Sequence, residues 1–196
     1  MVYCYQIKFE GRYTMSFSEF LESRRDSARA LVTELKKSFP YASVLGVDVK
    51  SRSITATRST SSIAPGMDTE CGFVVKVSDG AIFFEYSLDD IGADAASLCQ
   101  KITTAFRVNQ ALRDTAVGGI TLADEPLVES FSRPSDFDRY SEEQLLAFCK
   151  EQNAALLAKS DKLLNVVIHM GTLEVSKLFV TPTACWTRIT HGSMAI

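Results

Sequence analysis

One local device recurs three times along this 196-residue chain and constrains its fold more than any other feature. Ser16-Phe17-Ser18-Glu19, Ser87-Leu88-Asp89-Asp90 and Ser141-Glu142-Glu143-Gln144 each place a serine three residues ahead of an acidic or amide side chain. In a capping box the serine hydroxyl accepts from the third helical N–H, and the longer side chain reaches back to the serine N–H. An apolar residue stands before each serine and another at the fourth helical position: Met15 and Phe20, Tyr86 and Ile91, Tyr140 and Leu145. That pairing is the hydrophobic staple, so three well-started helices are expected.

Behind each start runs the period of a helix. The first stripe carries Phe17, Phe20, Leu21, Ala28, Leu31, Val32, Leu35 and Phe39 and stops before Pro40. The second runs from Ile91 through Leu98, Ile102 and Phe106 to Leu112, and the third from Leu145 through Cys149 to Leu157. Helices apolar along one stripe must lie on something, and the rest of the chain supplies strands. Tyr41 to Val49 reads as a strand rich in branched residues. Ile54 to Thr57 follows the polar Lys50 to Ser53 as in a hairpin, and Ser59 to Asp68 reads as a polar loop. Gly72 to Val77 and Ala81 to Tyr86 flank Ser78-Asp79-Gly80, a hairpin turn in which glycine tolerates positive φ. Residues 113–140, with Pro126 and Pro134, read as an extended connection. Leu163 to Met170 and Leu173 to Val180 form a further strand pair around Gly171-Thr172. The expected fold class is α+β, a mostly antiparallel sheet with amphipathic helices packed on one face.

Composition narrows the function. Apolar residues make up 46% and charged residues 23%, the balance of a globular domain. No run approaches the ~18 apolar residues of a membrane span, and Met1 to Gly11 has no basic flank followed by an apolar stretch. The expected compartment is the cytoplasm, with no membrane partner. Net charge is −3, whereas neutralising nucleic-acid phosphates takes a surplus of clustered Lys and Arg. Arg24-Arg25 and Lys36-Lys37 are interleaved with Glu22, Asp26 and Glu34, the pattern of a solvated helix face, so no nucleic-acid partner is expected.

Cysteines and histidines are too sparse for a self-contained active site. Cys4, Cys71, Cys99, Cys149 and Cys185 include no close pair, which argues for free thiols serving as small hydrophobes. His169 and His191 have no ligand partner one helical turn away, so no metal or catalytic residue is assigned in this chain. A Cys185/His191 nucleophilic pair, or a hydrolase built on Cys185 or His169, is the only catalytic alternative. The most polar candidate for contacts with an extended peptide is the loop containing Arg58, Ser59 and Thr60, which also reads as a plain hairpin connection.

The order of elements carries a resemblance. Tyr41-Ala42-Ser43-Val44, the polar strand Ser53 to Ser59, Cys71-Gly72-Phe73-Val74-Val75-Lys76-Val77 closing on Asp79-Gly80, the helix from Asp89 to Leu112, the Ser141-led helix, Leu164-Asn165-Val166-Val167 and the strand Glu174 to Thr181 follow one another in a familiar pattern. Residues 15 to about 190 resemble the N-terminal domain of the TldD/PmbA proteins, metallopeptidases also described as modulators of DNA gyrase. In that family the zinc site, an H-E-x-x-x-H helix with a later cysteine ligand, lies in a separate C-terminal domain. The resemblance therefore implies a non-catalytic role with no cofactor in this chain: packing against a catalytic domain, contributing to a homo- or hetero-dimer, and helping to enclose unfolded peptides. Residues 1–14 are read as an extra segment and residues 191–196 as a tail. A stand-alone interaction domain that has lost the peptidase is the second reading.

Overall fold

The computed structural model describes residues 16–108, 126–133 and 140–195, the last five of these by backbone alone. In chain order the elements are helices α1 (Glu19–Ser23) and α2 (Arg25–Leu35), strands β1 (Tyr41–Ala56), β2 (Ser61–Pro65), β3 (Glu70–Ser78) and β4 (Phe83–Leu88), helix α3 (Ala95–Val108), strand β5 (Leu127–Arg133), helix α4 (Glu142–Leu157), and strands β6 (Ile168–Val180) and β7 (Ala184–Ala195). They form one sheet in the order β4-β3-β1-β6-β7-β5, with β2 paired to the far half of β1. Every pairing is antiparallel except β5 with β7. The α+β class with a mostly antiparallel sheet is therefore as expected.

The four described helices pack on one face of the sheet. On β1, Ala42 and Val44 enter the larger core with Leu21, Leu31, Leu35, Phe73, Val75, Ile102, Phe106 and Leu178. Twelve residues beyond Ala42 on the same strand, Ile54, followed by Ala56, joins Leu145, Cys149 and Met170 in a second, smaller core under α4. Strand side chains alternate faces, so these even-numbered positions share a face and the two cores sit side by side on it. Gly46 leaves room for a neighbouring ring and a helix side chain: a Cβ there would lie 2.7 Å from Phe73 Cε1 and 2.8 Å from Leu21 Cδ2.

Several local expectations need correction. The cap of the first helix is Ser18 rather than Ser16; the Ser18 hydroxyl accepts from the Leu21 N–H at 3.2 Å. The Ser87 box starts no helix, because Ser87 and Leu88 pair with Val74 and Phe73 at the end of β4. Asp94 takes over, accepting from the Ser97 N–H at 2.9 Å as α3 begins. Only the Ser141 box forms in full, with Gln144 N–H donating to the serine and the Gln144 amide oxygen accepting from the Ser141 N–H. Lys50 to Ser53 is no turn: β1 runs straight through it, exchanging β3 for β2 as its neighbour while β6 pairs along the other side. Gly171-Thr172 likewise lies inside β6, opposite Ser53 and Arg52 on β1, and not at a hairpin. Polar or glycine residues interrupt a strand only when the ladder leaves their backbone unpaired; here β6 pairs along all of Lys50 to Ser53 with β2 joining from Arg52, and Gly171 and Thr172 pair with both β1 and β7. The polar stretch from Ser59 contains β2, and the extended connection contains β5. Met15, Cys4 and residues 1–14 lie outside the described residues, as do the Pro134 segment and the Leu112 end of the second stripe.

Candidate functional site

The sheet corner at the far end of β1 brings together the residues expected to meet a peptide. Thr57 to Thr60 turn the chain from β1 into β2, and the turn is closed by its own side chains. Thr57 Oγ1 lies 2.8 Å from Thr60 Oγ1 and accepts from the Thr60 N–H at 3.0 Å, while the Thr57 N–H donates to the Thr60 carbonyl at 2.8 Å. Arg58 reaches out of the turn toward the connection between α4 and β6. Its N–H donates to Asn165 Oδ1 at 3.3 Å and its guanidinium to the Leu163 carbonyl at 3.2 Å. Arg58, Ser59 and Thr60 are all exposed.

Sequence reasoning missed the other half of this corner. Leu164 is 83% exposed, and Leu163 and Val167 beside it are also open to solvent. A buried amide holds this connection in place: Asn153 of α4 donates to the Val166 carbonyl at 2.6 Å and to the Ala56 carbonyl at 3.3 Å. The signal was a lone amide four residues after Cys149 on an apolar helix stripe, a polar group that burial obliges to find partners. Among the described residues β2 pairs only with β1. Its outer edge thus offers main-chain N–H and C=O groups of the kind that strand addition by an extended peptide uses, and it begins at the turn where Arg58 meets Leu163. Pro65 limits the usable edge to the Arg58 side.

The catalytic alternatives do not assemble. Cys185 and His191 lie six residues apart on β7, about 20 Å along an extended strand. His169 stands opposite Thr55 on β1, with its Nδ1 3.3 Å from the Thr55 hydroxyl. Cys185 pairs with Val180, eleven positions from His169 along β6 and so about 36 Å away. Burial pushes the Cys149 thiol above its ordinary range, and burial followed by the charges of Asp48 and Asp90 does the same to Cys71. Neither is an activated nucleophile. Among the described residues no three His, Cys, Asp or Glu side chains are grouped as metal ligands would be, and no helix is long and apolar enough to cross a membrane.

The charged helix face is used locally. Arg24 forms a two-pronged contact with Asp90, at 2.6 and 2.9 Å, while Arg25 pairs with Glu22 and Lys37 with Glu34.

No protein-family model matches this chain, and no curated protein matches it in sequence. Its backbone is similar to that of a candidate modulator of DNA gyrase from Bacteroides thetaiotaomicron, with a TM-score of 0.55 and 12% identity, over 89% of this chain and 39% of that one. It is also similar to TldE from Thermococcus kodakarensis, with a TM-score of 0.50 and 13% identity, over 86% of this chain and 37% of that one. The chain thus spans less than two fifths of either solved protein, and at this level of identity the relation shown is one of fold: that of a domain in TldD/PmbA-like structures.

Proposed function

We propose that this chain is a non-catalytic domain of the TldD/PmbA N-terminal type, acting with a zinc-bearing peptidase domain supplied in cis or in trans. The observation that carries the reading is the pairing of two coverages: nearly all of this chain aligns with a minor part of each solved relative. In this reading the domain packs against the catalytic partner, contributes to a homo- or hetero-dimer and helps to enclose unfolded peptides, while the zinc and its H-E-x-x-x-H ligands belong to the partner. The peptide-facing part is the corner of Arg58, Ser59 and Thr60 with the free edge of β2. Main-chain pairing there discriminates little between side chains, which suits flexible substrates of varied sequence.

The test is reconstitution. Purified alone, the chain is expected to hold no stoichiometric zinc and to cleave no unstructured peptide; adding an H-E-x-x-x-H partner domain is expected to yield peptidase activity above that of the partner alone. Arg58→Ala combined with Leu164→Ser is expected to raise the KM of the mixture more than it lowers kcat. Zinc near one per chain with turnover by the chain alone would overturn the reading.

The second reading is an independent interaction domain, favoured by the exposure of Leu163, Leu164 and Val167 in one stretch. It predicts that a catalytic partner leaves no trace on this chain's activity.

A further inference from the structure

The outer edge of β2 has a hydrogen-bonding phase that its two ends fix independently. At the turn the Thr57 N–H donates to the Thr60 carbonyl at 2.8 Å, and at the other end the Gly66 N–H donates to the Ser51 carbonyl at 3.0 Å. In an antiparallel ladder, directly opposed residues alternate between pairs that bond each other and pairs whose N–H and C=O groups point outward. Both ends place Thr55–Ser62 and Ser53–Ala64 among the bonded pairs, and Ala56–Ser61, Ile54–Ile63 and Arg52–Pro65 among the outward ones. Ser61 and Ile63 therefore each turn an N–H and a C=O away from β1, whereas Pro65 turns only a C=O.

The lane beside that edge continues the line of β4. β2 and β3 lie on the same side of β1, and β4 pairs with β3 from Ser78 only as far as Phe73, where Leu88 ends it. Among the described residues no strand takes up the lane beyond that point. The two faces of the lane differ. Ile63 stands opposite Ile54 and packs, partly buried, against the second core under α4. Ser62 and Ala64 point to the other face and are exposed.

We infer that this lane takes an extended peptide antiparallel to β2, bonded through its main chain to Ser61 and Ile63 and carrying an apolar residue opposite Ile63. The inference rests on the reading of the β2 edge as peptide-facing, and adds to it a direction, a register and one side-chain preference. Antiparallel pairing lets the peptide residue opposite Ile63 exchange two bonds with it. The residue two positions towards the peptide C-terminus does the same with Ser61. The missing donor at Pro65 ends the pairing there, which leaves two bonded positions. Opposed residues share a face, so the side chain opposite Ile63 lies against the rim of the second core, where an apolar group is removed from water. The residue between the two bonded positions falls beside Ser62 on the exposed face and is not selected.

An NMR titration of the isotope-labelled chain with a short unstructured peptide, serines and threonines around one central leucine, tests it. The amide signals of Ser61 and Ile63 should shift most, and those of Ser62 and Ala64, whose N–H groups are held by β1, least. N-methylation of the leucine, or of the residue two positions towards its C-terminus, should weaken binding about 5- to 10-fold by removing one bond. N-methylation of the residue between them should leave binding unchanged. Serine in place of the leucine should weaken binding by a similar factor, and Ile63→Ala should erase most of that preference. Ser61→Pro removes an outward donor on which no β1–β2 bond depends, and should weaken the leucine peptide. If either variant fails to fold, the N-methyl scan on the unaltered chain still decides. A scan with its losses on the two neighbours of the leucine means parallel pairing and overturns the inference, as does a flat scan; either leaves peptide capture at the edge standing. No binding of any peptide overturns both.

Discussion

Ser18 donates its hydroxyl to Asp48 at 2.6 Å, joining the cap of the first helix to the middle of the central strand. The same oxygen accepts from the Leu21 N–H, and the Ser18 N–H donates to the hydroxyl of Ser176 on β6. One small side chain thus sets the height of α1 over two neighbouring strands. Ser18→Ala is expected to lose the cap and a charge-assisted bond together, about 2 kcal/mol, read as a lower denaturation midpoint with an unchanged slope. Asp48→Asn should lose less, because an amide oxygen still accepts from the serine.

Gly46 is where helix and sheet approach too closely for a side chain. Gly46→Ala must displace a Phe73 ring edge and a Leu21 methyl, both in the well-packed main core, at a cost of about 1–3 kcal/mol. Combining it with Leu21→Ala should recover part of that loss, a coupling that a double-mutant cycle in denaturant would measure.

Asn153 is 3% exposed and serves two carbonyls from one amide nitrogen. Asn153→Leu keeps the volume but leaves both acceptors buried without their donor, so a loss of about 2–4 kcal/mol is expected. Hydrogen exchange should show the connection 158–167 opening before the main core does, because that connection depends on the Val166 contact.

Asp90 ties pH to stability. The hydrogen bond from Arg24 holds its carboxyl below the ordinary carboxylate range, so the folded state favours its ionised form. A depressed folded pKa adds stability that is present above the unfolded value, about 4, and is lost as pH falls through the folded value. Asp90→Asn should therefore destabilise slightly at neutral pH and not at all in strong acid. Salt should shrink the neutral-pH difference, since the pair is open to solvent.

Thiol titration separates the cysteines. Among the described cysteines Cys71 is exposed and should react first, yet more slowly than a free cysteine at neutral pH, with a rate that keeps rising in alkali because its thiol pKa is raised. Cys149 and Cys185 are buried and should react only on unfolding. A native Cys185 that reacts faster than Cys71 would contradict the packing described.

Helix identity and fold class were legible in the chain because they rest on local rules. The Ser141 box, with Tyr140 and Leu145 packed in one core as a staple requires, forms as its letters imply. The Asp79-Gly80 turn does so too, with Gly80 at φ +90° and Asp79 accepting from the Ala81 and Ile82 N–H groups. Where two local rules competed, only tertiary structure decided. Ser87 satisfies a capping box, but ladder pairing with Val74 and burial of Leu88 against the main core take its segment into β4. Lys50 to Ser53 satisfies a turn by composition, but β6 pairs along its whole length and carries β1 through from β3 to β2.

The candidate corner was half legible for the same reason. Arg58, Ser59 and Thr60 stand together in sequence, whereas Leu163 and Asn165 come more than a hundred residues later and meet Arg58 only because β1 and β6 pair in register. Capping, periodicity and turn chemistry act over a few residues and are written in the chain. Strand partners and the assignment of each strand residue to one face of the sheet or the other depend on contacts between distant segments, which register alone brings together.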